Sequence, residues 1–151
     1  ALGILDSRDR FEFAFEKAVE LGITDFFPLI TKNTQKDTVK NERLVAKAIA
    51  AISQSQRAML PIIHNPIQIS ELVEQFIHFS KVYVADITGK PLENNKNSES
   101  SIAIIGPEGG FTYDELDLLK SQENSILFSI GNKRLSRNRS YCIFRIIVYL
   151  V

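Results

Sequence analysis

Apolar and polar positions along the chain fall into blocks that switch between helical and strand periods. Residues 1–5 form a short apolar run, and residues 6–10 are polar. Phe11, Ala14, Phe15, Ala18 and Leu21 then recur at helical spacing, and Gly22 follows as a C-terminal cap. Asp9 and Glu12 stand at the two ends of a capping-box spacing. Residues 23–30 read as a buried strand with Pro28 near its end, and residues 32–41 as a polar loop. A second helix is expected over residues 42–57, with Leu44, Ala48 and Ile52 on its apolar face. Pro61 and Pro66 punctuate an extended stretch. Residues 69–79 read as a third helix, with Ser70 as its cap.

The second half repeats the alternation. Residues 81–87 are β-branched and apolar, hence a strand. Residues 88–100 are polar, rich in Asn and Ser, and predict a mobile loop. Residues 101–105 form a clean strand pattern that runs into Gly106-Pro107-Glu108-Gly109-Gly110. Thr112 and Glu115 make a capping box for a helix over residues 113–122. A further strand over residues 125–130 ends at Gly131, followed by a basic stretch and an apolar segment from 141 to 151. Strands alternating with helices predict an α/β domain with a mostly parallel sheet flanked by helices.

Composition narrows the picture. The 151 residues suit one domain, and 44% hydrophobic content suffices for a core. Eighteen basic residues balance eighteen acidic ones, so attraction to a nucleic acid must come from a local patch. The single cysteine, Cys142, excludes an internal disulfide and a cysteine-cluster metal site. His64 and His78 carry no metal-ligand pattern, so no metal is expected and surface or loop roles are. No apolar run reaches membrane-spanning length, which points to a soluble cytoplasmic protein. Ala1 is not Met and no signal-peptide pattern follows, so the chain reads as starting mid-protein on a strand.

Four stretches carry candidate chemistry. The glycines of residues 106–110, at a strand's C-terminal end, let backbone groups approach a ligand closely. The alternative is a tight strand-to-helix turn with no ligand. A phosphate-cradling P-loop is excluded because its Gly-Lys-Ser/Thr ending is missing. Ser129-Ile130-Gly131 would set a second glycine loop beside the first, able to hold a flat adenine, or is an unrelated turn. In Gln54-Ser55-Gln56-Arg57, the guanidinium of Arg57 can clamp a phosphate or base edge, or is a solvated helix-terminal group. Lys133, Arg134, Arg137 and Arg139 form the one dense basic cluster, which either tracks an RNA backbone or is a solvated turn.

These stretches resemble the RsmE-type ribosomal RNA uridine N3-methyltransferases of the SPOUT class over nearly the whole chain. Lys17-Ala18-Val19-Glu20-Leu21-Gly22 is similar to the family's K-A-T-E-L-G, and Pro28 falls on that strand's proline. Glu42-Arg43 resembles the E-R that opens the next helix, and residues 54–57 with Pro61 resemble E-Q-S-G-R…P. Residues 105–110 match I-G-P-E-G-G without a departure, and residues 129–131 fit S-L-G. The resemblance implies a trefoil knot in the C-terminal half, a homodimer, and S-adenosylmethionine (AdoMet) as cofactor. It implies methylation of N3 of a uridine in small-subunit (16S) ribosomal RNA. By position, Ile105, Gly106, Glu108, Gly109 and Gly110 belong to one cofactor loop, and Ile130, Gly131 and Leu135 to the other. Ala85 would stand at the adenine wall. Arg57 would be the substrate-side group, and Glu108 would shape the cofactor loop rather than act as a base. The family's N-terminal RNA-binding barrel has no counterpart after Ala1, so residues 1–151 correspond to the AdoMet-binding domain alone.

The end of the chain departs from the family. After S-L-G the family reads P-R-I-L-R-T-E-T-A, whereas residues 132–140 read N-K-R-L-S-R-N-R-S, keeping only Leu135 in register. Ser53 and Gln56 replace E and G of E-Q-S-G-R. Arg145 interrupts an apolar run whose β-branched residues favour strand over the family's alanine-rich helix. A back-translation of residues 136–144 shifted by one base restores A-E-T-A-A-I-A-F, which suggests a frameshift near Leu135. The alternative function is accordingly a catalytically impaired remnant that only binds cofactor or RNA.

Overall fold

The computed structural model describes residues 1–56, 58–91 and 100–129. In chain order its elements are β1 (Leu2–Gly3), α1 (Arg8–Leu21), β2 (Asp25–Phe26), β3 (Pro28–Ile30), α2 (Asn41–Ser55), β4 (Ile62–Ile63) and β5 (Ile67–Gln68). There follow α3 (Ile69–Glu74), a 3-10 turn (Gln75–His78), β6 (Lys81–Pro91), β7 (Ser101–Ile105), α4 (Tyr113–Lys120) and β8 (Ser125–Ser129). Six strands form one sheet in the order β5-β3-β1-β7-β6-β8, with each neighbouring pair parallel. The α/β expectation is therefore met.

Side-chain alternation assigns the two faces. Leu2 and Ile4 join Phe11, Phe15, Leu44 and Ala48 in a core formed with α1 and α2. Val82, Val84, Ile102 and Ile104 point the other way, into a core with Leu72, Leu116 and Leu119 of α3 and α4. Each fully buried side chain of this size contributes roughly 1.5–3 kcal/mol. Where the first face passes over β6, β7 and β8, Tyr83 and Phe128 are buried and meet edge-on at 6.2 Å.

Helix α1 starts earlier than its Asp9–Glu12 spacing suggests. Ser7 is the N-cap, and its hydroxyl accepts from the Arg10 amide at 3.4 Å. The Glu12 carboxylate is engaged elsewhere: it accepts from Nε and Nη2 of Arg43 at 2.8 and 3.0 Å. Glu12 is buried, and the Arg43 hydrogen bond holds its pKa below the ordinary value. Gly22 closes the helix as expected, at φ 96°. Helix α2 ends at Ser55, because Gln56 turns into the left-handed region at φ 54°.

The strand expected over residues 23–30 is split between two sheets. Asp25 and Phe26 pair with Ile62 and Ile63 in a separate two-stranded sheet, whereas β3 runs between β1 and β5. Consecutive carbonyls serve the two ladders: Phe26 O accepts from the His64 amide at 2.9 Å, and Phe27 O from the Leu2 amide at 3.0 Å. Pro28 fits as the first residue of β3, where its missing N–H costs little.

Other boundaries shift for local reasons. Helix α3 is shorter than residues 69–79, because it tightens into the 3-10 turn and Asn124 Nδ2 binds the Phe76 and Phe79 carbonyls. Gln68 rather than Ser70 is its N-cap, with the Gln68 amide donating to Glu71 Oε2 at 3.0 Å. Strand β6 continues beyond residue 87 into the expected loop, because Lys90 and Pro91 resume pairing with Phe128 and Ser129 after a register shift. Asp86 supports that shift by accepting from the Thr88 amide and hydroxyl at 2.9 and 2.6 Å. The rest of the expected loop, residues 92–99, lies outside the described residues. His78 is exposed and His64 lies in the loop after β4, as expected; His64 is half-buried there, stacks on Phe27 at 3.9 Å and hydrogen-bonds Asp25 at 2.9 Å.

Candidate functional site

Strands β7 and β8 end on either side of β6, which runs on to Pro91. Ala85 of β6 stands beside Ile105 of β7 on one side and Phe128 of β8 on the other. Ala85 and Ile105 are half-buried and pack against the Tyr83–Phe128 pair, which makes an apolar wall. This end of the sheet also contains the switch point of the topology. The chain leaves β1 toward β3 and leaves β7 toward β8, so the crevice between β1 and β7 lies between connections running in opposite directions. Such a crevice is where open parallel sheets take ligands.

The glycine loop fills this position. Gly106 and Pro107 are buried, Glu108 is half-buried and Gly109 is exposed. The Gly110 amide closes a turn on the Pro107 carbonyl at 2.9 Å. Gly3 permits the loop to lie against the end of β1, since a Cβ there would fall 2.4 Å from Pro107 N. The Asp6 amide lies 3.4 Å from Glu108 Oε2, so this carboxylate helps to fix the loop to the residues after β1.

The turn after β3 clamps the loop from the other side. Asn33 Nδ2 donates to the carbonyls of Gly109 and Gly110, each at 3.1 Å. A Cβ on Gly109 would fall 2.8 Å from that of Asn33, closer than real Cβ atoms come. Next to it, buried Glu115 accepts from the Lys32 amide at 2.7 Å and from the Thr112 amide at 2.8 Å. Glu115 therefore completes the predicted capping box of α4 and also ties α4 to β3. An immobile backbone loop beside an apolar wall can hold a flat, polar-edged group through main-chain hydrogen bonds. Gly106 lets the loop pack closely on itself, since a Cβ there would come within 3.2 Å of the Phe111 ring.

Of the expected site residues, the structure brings together Ala85, Ile105, Gly106, Glu108, Gly109 and Gly110. Ile130, Gly131 and Leu135, the second expected loop, lie outside the described residues. So do Arg57 and the basic cluster Lys133, Arg134, Arg137 and Arg139. Sequence reasoning missed Asn33, Lys32 and Gly3. A glycine inside the apolar run 1–5 is a signal for close backbone approach, whereas nothing local marks Asn33. Among the described residues no group of His, Cys, Asp and Glu is placed to hold a metal ion, and no helix is long and apolar enough to cross a membrane.

A parallel α/β domain with a glycine loop at its switch point matches a known family of RNA-modifying enzymes. The sequence pattern described as the RNA methyltransferase domain covers residues 1–138, and the chain belongs to that family. More particular likenesses are to proteins named ribosomal RNA small subunit methyltransferase E. The one from Rickettsia conorii is 36% identical over 132 residues, covering 85% of this chain and 54% of that protein. The one from Mesomycoplasma hyopneumoniae is 33% identical over 153 residues, covering 95% of this chain and 65% of that protein. The chain thus spans between half and two-thirds of the length of these relatives. The crystal structure of the Neisseria gonorrhoeae protein of the same name, bound to S-adenosyl methionine, superimposes with a TM-score of 0.84. That match has 24% identity and covers 99% of this chain and 62% of that one, so it bears out the SPOUT-type α/β fold. Nothing in these likenesses supports the impaired-remnant reading.

Proposed function

We propose that the chain is the AdoMet-binding part of an enzyme that methylates N3 of a uridine in small-subunit ribosomal RNA. The observation that carries this reading is the glycine loop clamped at the C-terminal end of β7, beside the wall of Ala85 and Ile105. The names of the relatives supply the RNA class. When bound, AdoMet supplies an electrophilic methyl group on a sulfonium centre.

The chain's own task is positioning. Backbone groups of Gly106, Gly109 and Gly110 hold the cofactor's polar edges, Glu108 keeps the loop in shape, and Ala85 and Ile105 cover the adenine. Ile130, Gly131 and Leu135 complete the pocket from the second loop. Arg57 orients the uracil or stabilises charge developing on it, and Lys133, Arg134, Arg137 and Arg139 follow the RNA backbone. The reading includes a trefoil knot in the C-terminal half, a homodimer and action in the cytoplasm.

Calorimetry with AdoMet, followed by mass spectrometry of small-subunit RNA after incubation with unmodified subunits, tests the proposal. The expected result is saturable AdoMet binding and N3-methyluridine at a single position. Absence of AdoMet binding by a folded chain overturns it. RNA binding should be weak and salt-sensitive, because it rests on phosphate contacts.

A further inference from the structure

A second cleft opens beside the glycine loop, between the start of α1 and residues 36–40, with a volume of about 410 Å³. Its floor is apolar, built from Ile4, Leu5, Phe11, Val39 and Leu44. Its rim is cationic: Arg8, Lys36 and Lys40 line the cleft and are exposed. Two carboxylates also line it. Glu12 is taken up by Arg43 and lies 3.8 Å from Arg8, which leaves only the exposed Asp9 against the lysines.

The cations are poorly compensated. The Lys40 carbonyl accepts from the Arg43 and Leu44 amides, but its ammonium has no hydrogen bond or ion pair among the described residues, and Lys40 stands at the N-cap of α2, where no side chain caps the helix. A positive charge is unfavourable at that end of a helix, where Ser, Asp or Asn is the usual choice. Lys36 donates one of its three hydrogens to the Asp6 carbonyl at 2.9 Å, which holds its ammonium over the cleft. That carbonyl belongs to the residue whose amide faces Glu108, so cleft and cofactor loop are neighbours along one sheet edge.

We infer that this cleft seats one nucleotide of the RNA chain, its base on the Ile4–Leu5–Val39 floor and its phosphate between Lys36 and Lys40. The inference deepens the proposed function and rests on it for the identity of the polymer. An anion there relieves the repulsion of cations gathered at a helix N-terminus, and an apolar floor of this size suits one base.

The test uses the full chain, a short single-stranded RNA containing uridine, and the double variant Lys36→Ala/Lys40→Ala. A matched control replaces Lys120, an exposed lysine on α4. Fluorescence anisotropy across a salt series should give about tenfold weaker RNA binding for the double variant. Its salt slope should be shallower by roughly 0.7 for each phosphate contact removed. AdoMet affinity should be unchanged. In an NMR titration, uridine monophosphate should shift the amides of Ile4, Leu5 and Val39. Equal RNA affinity for the double variant and the parent, or an equal loss in the Lys120→Ala control, overturns the inference. Shifts confined to the rim, reproduced by inorganic phosphate, overturn the base seat. Loss of AdoMet binding in the parent is a different result and counts against the proposed function alone.

Discussion

Asn33 joins two carbonyls that are neighbours in sequence, those of Gly109 and Gly110, through one amide nitrogen at 3.1 Å from each. This bridge fixes a loop that is otherwise held by its own turn and by the contact of Glu108 with the Asp6 amide. Each such hydrogen bond contributes about 0.5–1.5 kcal/mol. Asn33→Ala should therefore weaken AdoMet binding by roughly three- to tenfold and lower the melting temperature by a few degrees. Calorimetry and a thermal melt on the same sample separate the two effects. A large fall in melting temperature at unchanged affinity would contradict this role.

Gly109→Val should abolish detectable AdoMet binding, because its Cβ falls against Asn33. The milder pair Gly109→Ala and Asn33→Gly tests the cause. If the contact is the problem, the double variant should bind AdoMet no worse than Asn33→Gly alone, a non-additivity that a binding titration reads directly.

Arg43 and Glu12 stitch α2 to α1 through a buried carboxylate. The hydrogen bond from Arg43 is the main cause of the lowered Glu12 pKa. A depressed folded-state pKa adds stability that is present above the ordinary glutamate value and is lost as pH falls through the folded value. Arg43→Met should cost about 1–3 kcal/mol near neutral pH and flatten the acid limb of the stability profile. Urea unfolding at pH 7 and at pH 3 measures both. A loss of the same size at both pH values would rule out this linkage.

Glu115 serves two elements, so its removal should cost more than loss of a helix cap. Thr112→Ala is expected to cost about 1 kcal/mol. Glu115→Ala also leaves the Lys32 amide without its partner, and should cost about 2–3 kcal/mol in total. Equal losses in denaturant melts would mean that the tie to β3 contributes nothing.

The parts of the fold legible in the sequence are those whose signals are local. Strand β7 lies where its clean strand pattern predicts, and Thr112 with Glu115 marks the start of α4 because both partners lie within one turn. Boundaries fail where a distant residue decides. Glu12 is drawn from capping by Arg43, and residues 25–30 are divided because Ile62 and Ile63 claim only the first two. The same holds at the site. The glycine loop is readable from its own residues, whereas Asn33 lies 76 positions away from Gly109 and carries no mark of its role.

The adjoining carbonyls of Phe26 and Phe27 give the two sheets a shared fate. One accepts from His64 in the small sheet and the other from Leu2 in the large one. A peptide unit cannot tilt to release one bond without straining its neighbour. The amides of His64 and Leu2 should therefore exchange with solvent as members of one cooperative opening unit, at a similar free energy, although they lie in different sheets. A destabilising change beneath either sheet would then be read out at both.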